Sequence, residues 1–414
     1  MPSPDRGPAA SASRFVTELG ATMSAANYPV TMVRDVMGAT SKAYGLDHQF
    51  LALPNYVQVG GAEGNGLYIA NPDFDLRYDQ SFPLAQLVAR APTGTVQPAE
   101  GLAELARIRS LDRRFPVWLT VLGYAVQSTG LALILQPTQW SLAGAAVLGL
   151  LVGVLAVVGR RIDAVGYMLP TLCAFLVALA VFTFENHWHV GVDSLRALAA
   201  PLATFLPGAA ITLAVIELST RHVVSGASRL VAGFMQIVQL AFGILIAAQV
   251  AGIADTDLVT TEINRLGPWA PFLGVLVYGL GAMLYFGPPT RFLPWMVLML
   301  YSAYAGQWVG NALLGSYASG FGGGLTLILF ALAISHRPNT PPTVSLVLPG
   351  FWLLVPGSLG FMGVTQLLGT HDTAIFTATL ISMMSIAVGV QTGLLLWRAA
   401  IQLTDAPHRR AFHD

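Results

Sequence analysis

LPGAAITLAVIEL (residues 206–218) and VPGSLGFMGVTQL (355–367) are two copies of one pattern, a Pro-Gly followed by an apolar run. The penultimate residue is Glu217 in the first copy and Gln366 at the matching position in the second. Their offset of 149 residues also carries FPVW, which opens the first long apolar run at Phe115, to within a few positions of GPWA at 267–270. Between and around the copies the chain is a succession of apolar runs, each near the ~20 residues that cross hydrocarbon as a helix. Ten are read, at about 116–135, 141–158, 166–184, 197–220, 226–252, 268–286, 292–309, 315–335, 342–366 and 374–401. Five runs fall in each half. Because five is odd, the second half enters the membrane from the side opposite to the first, the inverted-repeat design of many secondary transporters.

Composition agrees with a membrane protein. Of 414 residues 54% are hydrophobic and 10% charged, against about a quarter charged in soluble domains. The mean hydropathy is +0.63. Lys plus Arg equals Asp plus Glu at 21 each, so no basic surplus exists to neutralise phosphates, and a nucleic-acid role is excluded. The lone Cys173 excludes a disulfide framework and a Cys-based metal site.

Half of the 42 charges lie in residues 1–115. The opening MPSPDRGPAASASRF has no apolar core or cleavage site, so this segment is expected to remain cytoplasmic. VTELGATMSAAN and PVTMVRDVMGATSKAYG have helical spacing, while QFLALP, YVQVGG and GLYIAN read as short strands separated by Asn55 and GGAEGNG. A small α+β domain follows. After a polar, Pro-containing stretch comes AEGLAELARIRSLDRRF, an amphipathic helix whose Arg107, Arg109, Arg113 and Arg114 are expected to anchor it at the membrane surface. The domain scheme is thus 1–115, a first membrane repeat 116–256, a second 264–404 and a tail 405–414.

With the N-terminus inside, 19 of the 21 Lys/Arg fall on the inner side and only Arg196 and Arg265 outside. Both termini are therefore expected in the cytoplasm.

Pro-Gly pairs stand inside the predicted spans: Pro207-Gly208 in the fourth, Pro349-Gly350 and Pro356-Gly357 in the ninth. Proline removes a helix hydrogen bond and glycine weakens the helix further. Matched breaks in two halves point to a midplane binding site. They are also common as harmless kinks in membrane helices, and that reading stays open.

Away from the loops the spans hold two charges, Glu217 and Arg229. Ionisable groups in spans usually mark an ion or substrate path. Glu217 is either a proton site, with its repeat mate Gln366 only hydrogen-bonding, or an interfacial partner of Arg221 at i,i+4. Gln127, Gln236, Gln239, Gln307, Asn311 and Gln391 read as interhelical glue. His187 and His189 lack carboxylate support for a metal. GGAEGNG lacks the GK[ST] of a phosphate loop and is a turn, and the N-terminal segment has no G-x-S-x-G elbow. No cofactor is expected.

These residues together resemble the threonine/serine exporter family of bacterial secondary transporters. The likeness rests on GATMSAANYPVTMVRDVMGATSKAYG, on LPGAAITLAVIELSTRHVVSGASRLVAGF and on LVLPGFWLLVPGSLGF. It places family positions on Pro207, Gly208, Glu217, Ser225 and Gly226, then on Pro349, Gly350, Pro356 and Gly357, with Glu217 standing where the family usually has aspartate. The resemblance implies ten spans and proton-driven export of threonine and serine. It also implies an N-terminal domain once suspected of hydrolase chemistry, which the residues do not support.

The expected site follows. The amides at Gly208 and Gly357 offer helix N-termini for a substrate carboxylate, Glu217 couples to the proton, and Arg221, Ser225, Gly226 and Arg229 support it. The expected partners are the amino acid, protons and the lipid bilayer, and a homodimer is compatible with the sequence. Two other readings are an exporter of another small solute, such as a dipeptide or dicarboxylate, and a membrane-anchored enzyme or sensor acting through the N-terminal domain. Ten spans exceed what an anchor requires.

Overall fold

The computed structural model describes residues 8–61, 67–72, 76–135, 138–160, 162–188, 194–253, 266–315, 318–337, 340–354 and 374–410. These form two compact units. One is Met1–Arg114 together with Leu213–Leu230, the other Phe115–Thr212 together with Val231–Asp414.

The first unit opens with α1 (Pro8–Ala25) and α2 (Val30–Ala43). Phe15, Val16, Leu19 and Met23 of α1, and Val33 and Met37 of α2, have no solvent exposure. Their helical spacing gives each helix one apolar face. The two approach closely at Gly20, where a Cβ would run into the Met37 thioether. Three antiparallel strands follow in sequential order, β1 (His48–Leu53), β2 (Tyr56–Gly61) and β3 (Leu67–Ala70), with Leu53 paired to Tyr56 across a two-residue turn. Val57 and Val59, two apart on β2, are fully buried, which the alternation of side chains along a strand dictates.

The polar, Pro-containing stretch after β3 proves to hold a helix, α3 (Ser81–Arg90), which buries Phe82, Leu84, Leu87 and Val88. Pro83 stands in its first turn, where a missing N–H costs nothing. The next helix, α4 (Pro98–Arg109), stops at Arg109. Its Arg109 guanidinium pairs with Glu18 at 2.7 Å and also donates to Thr22 Oγ1 at 2.6 Å. Arg107 faces Glu104 on its own helix at 4.0 Å.

His48 bridges α1 and α2, with Nε2 3.1 Å from Ser13 Oγ and Nδ1 3.1 Å from Ser41 Oγ. Ser13 already donates to Ala9 O at 2.8 Å, so it must accept from the ring, and Ser41 donates to Nδ1. That pattern selects the neutral Nε2–H tautomer. Burial pushes the His48 pKa below its ordinary value, against an opposing pull from Asp47. A base with a lowered folded-state pKa contributes stability above its unfolded pKa of about 6.5 and loses it as pH falls through the folded value. The melting temperature of the full chain is therefore expected to decline below about pH 6.5, and His48→Asn to flatten that decline; an unchanged profile contradicts the assignment.

The second unit is helical. It contains α5 (Val117–Ile134), α6 (Gln139–Gly159), α7 (Asp163–Trp188) and the short α8 (Ser194–Ala199). A helix α9 (Gly208–Ser219) and a long α10 (Val223–Ala251) follow, each shared between the two units. The rest are α11 (Ala270–Phe286), α12 (Leu293–Leu314), α13 (Ser319–Ser335), α14 (Thr343–Leu353) and α15 (Ala374–Arg410). Every predicted apolar run contains one of these helices. Five described helical segments are long and apolar enough to cross a membrane: Val117–Ile134, Gln139–Gly159, Met168–Trp188, Val223–Ala251 and Leu380–Ala400.

A close crossing joins α5 to α11. Each contributes two glycines seven residues apart: Gly130 faces Gly274, while Gly123 packs on the backbone at Leu284–Tyr285 and Gly281 on that at Gln127. A Cβ on Gly130 would lie 2.9 Å from Gly274 O, and one on Gly274 would lie 2.8 Å from Gly130 O. Helix backbones approach this closely in membranes only through small residues.

Candidate functional site

The charged centre lies wholly in the first unit and is made by two turns. The first follows α1. Asn27 takes a left-handed conformation at φ 59°, Asn27 N–H donates to Ser24 O at 3.0 Å and Tyr28 N–H to Met23 O at 3.1 Å. This is a Schellman ending on a residue other than glycine. Pro29 then starts α2 with no side-chain cap, so the amide of Val30 lacks a partner within its own helix. The second turn follows α9 and has the same form: Arg221 at φ 65°, Arg221 N–H to Leu218 O at 3.1 Å and His222 N–H to Glu217 O at 2.8 Å.

Glu217 sits at the end of α9 with no solvent exposure. Its Oε1 accepts from the Val30 N–H at 3.1 Å, so it caps α2 and its charge meets the positive end of that helix. Its Oε2 accepts from Ser225 Oγ at 2.5 Å and lies 3.2 Å from Arg229 Nε. Arg229 is 8% exposed, and its Nη2 donates to Tyr28 O at 3.5 Å. Its Nε makes no aligned hydrogen bond, so charge rather than geometry holds it to the carboxylate. On the rim, Arg34 lies 3.5 Å from His222 Nε2.

Among the described residues Glu217 therefore pairs with Arg229 and not with Arg221. An i,i+4 pair needs a continuous helix, but α9 ends at Ser219 and Arg221 turns the chain. Arg221 itself is exposed. Gly226 lets α10 press onto α9: a Cβ there would lie 2.7 Å from Leu218 Cγ and 2.8 Å from Ala214 O. Gly226→Ala is expected to lift Ser225 from the carboxylate and to cost ~1–3 kcal/mol through overpacking, read as a lower melting temperature; an unchanged value contradicts the close contact.

The broken-span residues lie in the second unit. Chain 200–207 is not α-helical, and α9 begins at Gly208 directly after Pro207. Carbonyls freed here find side-chain donors: Tyr124 Oη bonds Pro201 O at 2.7 Å and Gln236 Nε2 bonds Phe205 O at 2.8 Å. This satisfies the rule that irregular backbone in a membrane protein must be bonded internally. Pro349 and Gly350 behave otherwise. The expected break is absent, for α14 runs through both to Leu353. Tyr278 Oη bonds Pro349 O at 3.3 Å, and a Cβ on Gly350 would run into Leu327, so that glycine serves close packing. Pro356, Gly357 and Gln366 lie outside the described residues, as does His189.

Sequence reasoning did not find the Val30 amide, the Tyr28 carbonyl, or Tyr124 and Tyr278. A proline after an αL asparagine marks the helix start, but nothing local says which carboxylate caps it.

The family described as "Putative threonine/serine exporter" matches residues 14–251. The chain is also similar to pheromone-regulated membrane protein 10 of Saccharomyces cerevisiae, 24% identical over 92% of this chain and 53% of the yeast protein. The protein of the same name from Kluyveromyces lactis is 24% identical over 70% of this chain and 31% of its own length. That from Eremothecium gossypii is 22% identical over 84% and 48%. The chain thus spans about half or less of the curated relatives it matches. No solved structure matches it.

Proposed function

Since the chain belongs to the threonine/serine exporter family, we propose that it carries threonine, serine or similar small amino acids out of a bacterial cytoplasm across the inner membrane, in exchange for protons. The observation that carries this reading is the buried Glu217, held by Val30, Ser225 and Arg229 within the matched region. Ionisable groups buried in spans usually serve ion paths. On protonation Glu217 loses its charge attraction to Arg229 and to the α2 terminus, and both are freed to rearrange.

The substrate is assigned to the break before α9 at Gly208, with Pro356 and Gly357 as its proposed counterpart in the second repeat. The first-turn amides of α9 suit a carboxylate. A five-plus-five inverted repeat is supported by α5 and α11, repeat mates that cross on glycines. Each sends a tyrosine to a proline carbonyl, Tyr124 to Pro201 and Tyr278 to Pro349, and these prolines lie within one residue of the repeat offset. The topology proposed with it puts both termini in the cytoplasm.

Counterflow of labelled threonine and serine into proteoliposomes holding the full chain tests the reading. Saturable exchange of both, accelerated by an imposed pH gradient, is expected. Exchange of other solutes but not of these two favours the alternative of a different small cargo, and no flux of any solute overturns the transporter reading.

A further inference from the structure

The groups on Glu217 and Arg229 are backbone groups of one short turn. Tyr28 offers a carbonyl to Arg229 Nη2 at 3.5 Å and Val30 offers an N–H to Glu217 Oε1 at 3.1 Å. Between them stands Pro29, which has no N–H to give. The turn therefore presents an acceptor to a cation and a donor to an anion, one residue apart. A free α-amino acid has the same polarity in stronger form, a carboxylate for the guanidinium and an ammonium for the carboxylate.

Two features favour displacement of the turn by a ligand of that polarity. Both backbone groups already meet an ionised partner, and a zwitterion would replace each peptide dipole by a full opposite charge. Arg229 is 8% exposed, yet its Nε makes no aligned hydrogen bond and the bond from its Nη2 is long; a bidentate carboxylate fits a guanidinium better than one distant carbonyl.

The pair is also a different place from the broken-helix site. Glu217 lies nine positions along α9 from Gly208, about 13 Å at the helical rise, too far for one amino acid to span. We propose that Glu217 and Arg229 form a second, zwitterion-binding site, an entry site for the α-amino acid, which the Tyr28–Val30 backbone occupies as a built-in surrogate until substrate displaces it. This rests on the exporter reading above.

Hydrogen exchange on the unmodified full chain in detergent or nanodiscs is the test, because it watches the Val30 amide itself. Saturating threonine is expected to speed exchange in peptides covering residues 26–33 at least tenfold, while N-acetylthreonine, which lacks the ammonium, leaves it unchanged. Arg229→Gln should weaken the threonine effect at least tenfold in concentration. Threonine flux in proteoliposomes without any change at Val30 overturns the second site and leaves the exporter reading intact. Equal acceleration by N-acetylthreonine also overturns it. Absence of threonine and serine flux removes the exporter reading and this inference together.

Discussion

Glu217→Ala is expected to abolish proton-driven threonine export and to destabilise the chain by about 3–5 kcal/mol, the scale of breaking a buried ion pair from one side. The cost arises because Arg229, 8% exposed, is left as an uncompensated buried charge, and because the Val30 amide and Ser225 hydroxyl lose their acceptor. Removing both charges separates structure from transport. In Glu217→Leu/Arg229→Met the orphan charge is gone, so much of the stability is expected to return, since apolar replacement of buried pairs is often neutral or stabilising. Export should stay absent. Thermal unfolding and proteoliposome flux read the two effects independently, and export that survives in the double variant contradicts the role given to the carboxylate.

Gly130→Leu is expected to have the other large effect. A Cβ at this position would strike the backbone of Tyr278 and come 2.9 Å from Gly274 O, and backbone cannot move aside as a side chain can. The α5–α11 crossing must open, taking with it the tyrosine bonds to Pro201 and Pro349. Overpacking commonly costs 1–3 kcal/mol and sometimes more; here the chain is expected to lose its cooperative melting transition and its flux together. The control is Gly144→Leu on α6, where a Cβ would meet nothing within 4 Å, and which should behave as wild type. Equal behaviour of the two variants contradicts the close crossing.

The elements most legible in the sequence were those written in local chemistry. Runs of apolar residues located the helices, and Pro207-Gly208 located a true interruption because both residues disfavour helix at once. The same dipeptide at Pro349-Gly350 misled, because packing overrides local preference: the helix persists while Gly350 accepts Leu327. Helix α3 lies in a stretch that reads only as polar and Pro-containing, although a first-turn proline such as Pro83 is harmless. Glu217 stood out by the rarity of charge in apolar runs. Its cap on Val30, 187 residues away, has no local signature, since any orphan amide at a helix start would serve equally. The alternative pairing with Arg221 fails for a related reason, as i,i+4 spacing has meaning only where the helix continues past Ser219.

The central claim is that movement of the amino acid and of the proton are one process passing through Glu217. The most direct measurement places the full chain in liposomes loaded with threonine and a pH-sensitive dye, with no initial pH difference across the membrane and the membrane potential clamped. Outward threonine flow is expected to acidify the lumen as protons enter in exchange, and Glu217→Gln, which cannot ionise, should abolish the acidification. Threonine leaving with no change in luminal pH, or acidification undiminished in Glu217→Gln, contradicts the account.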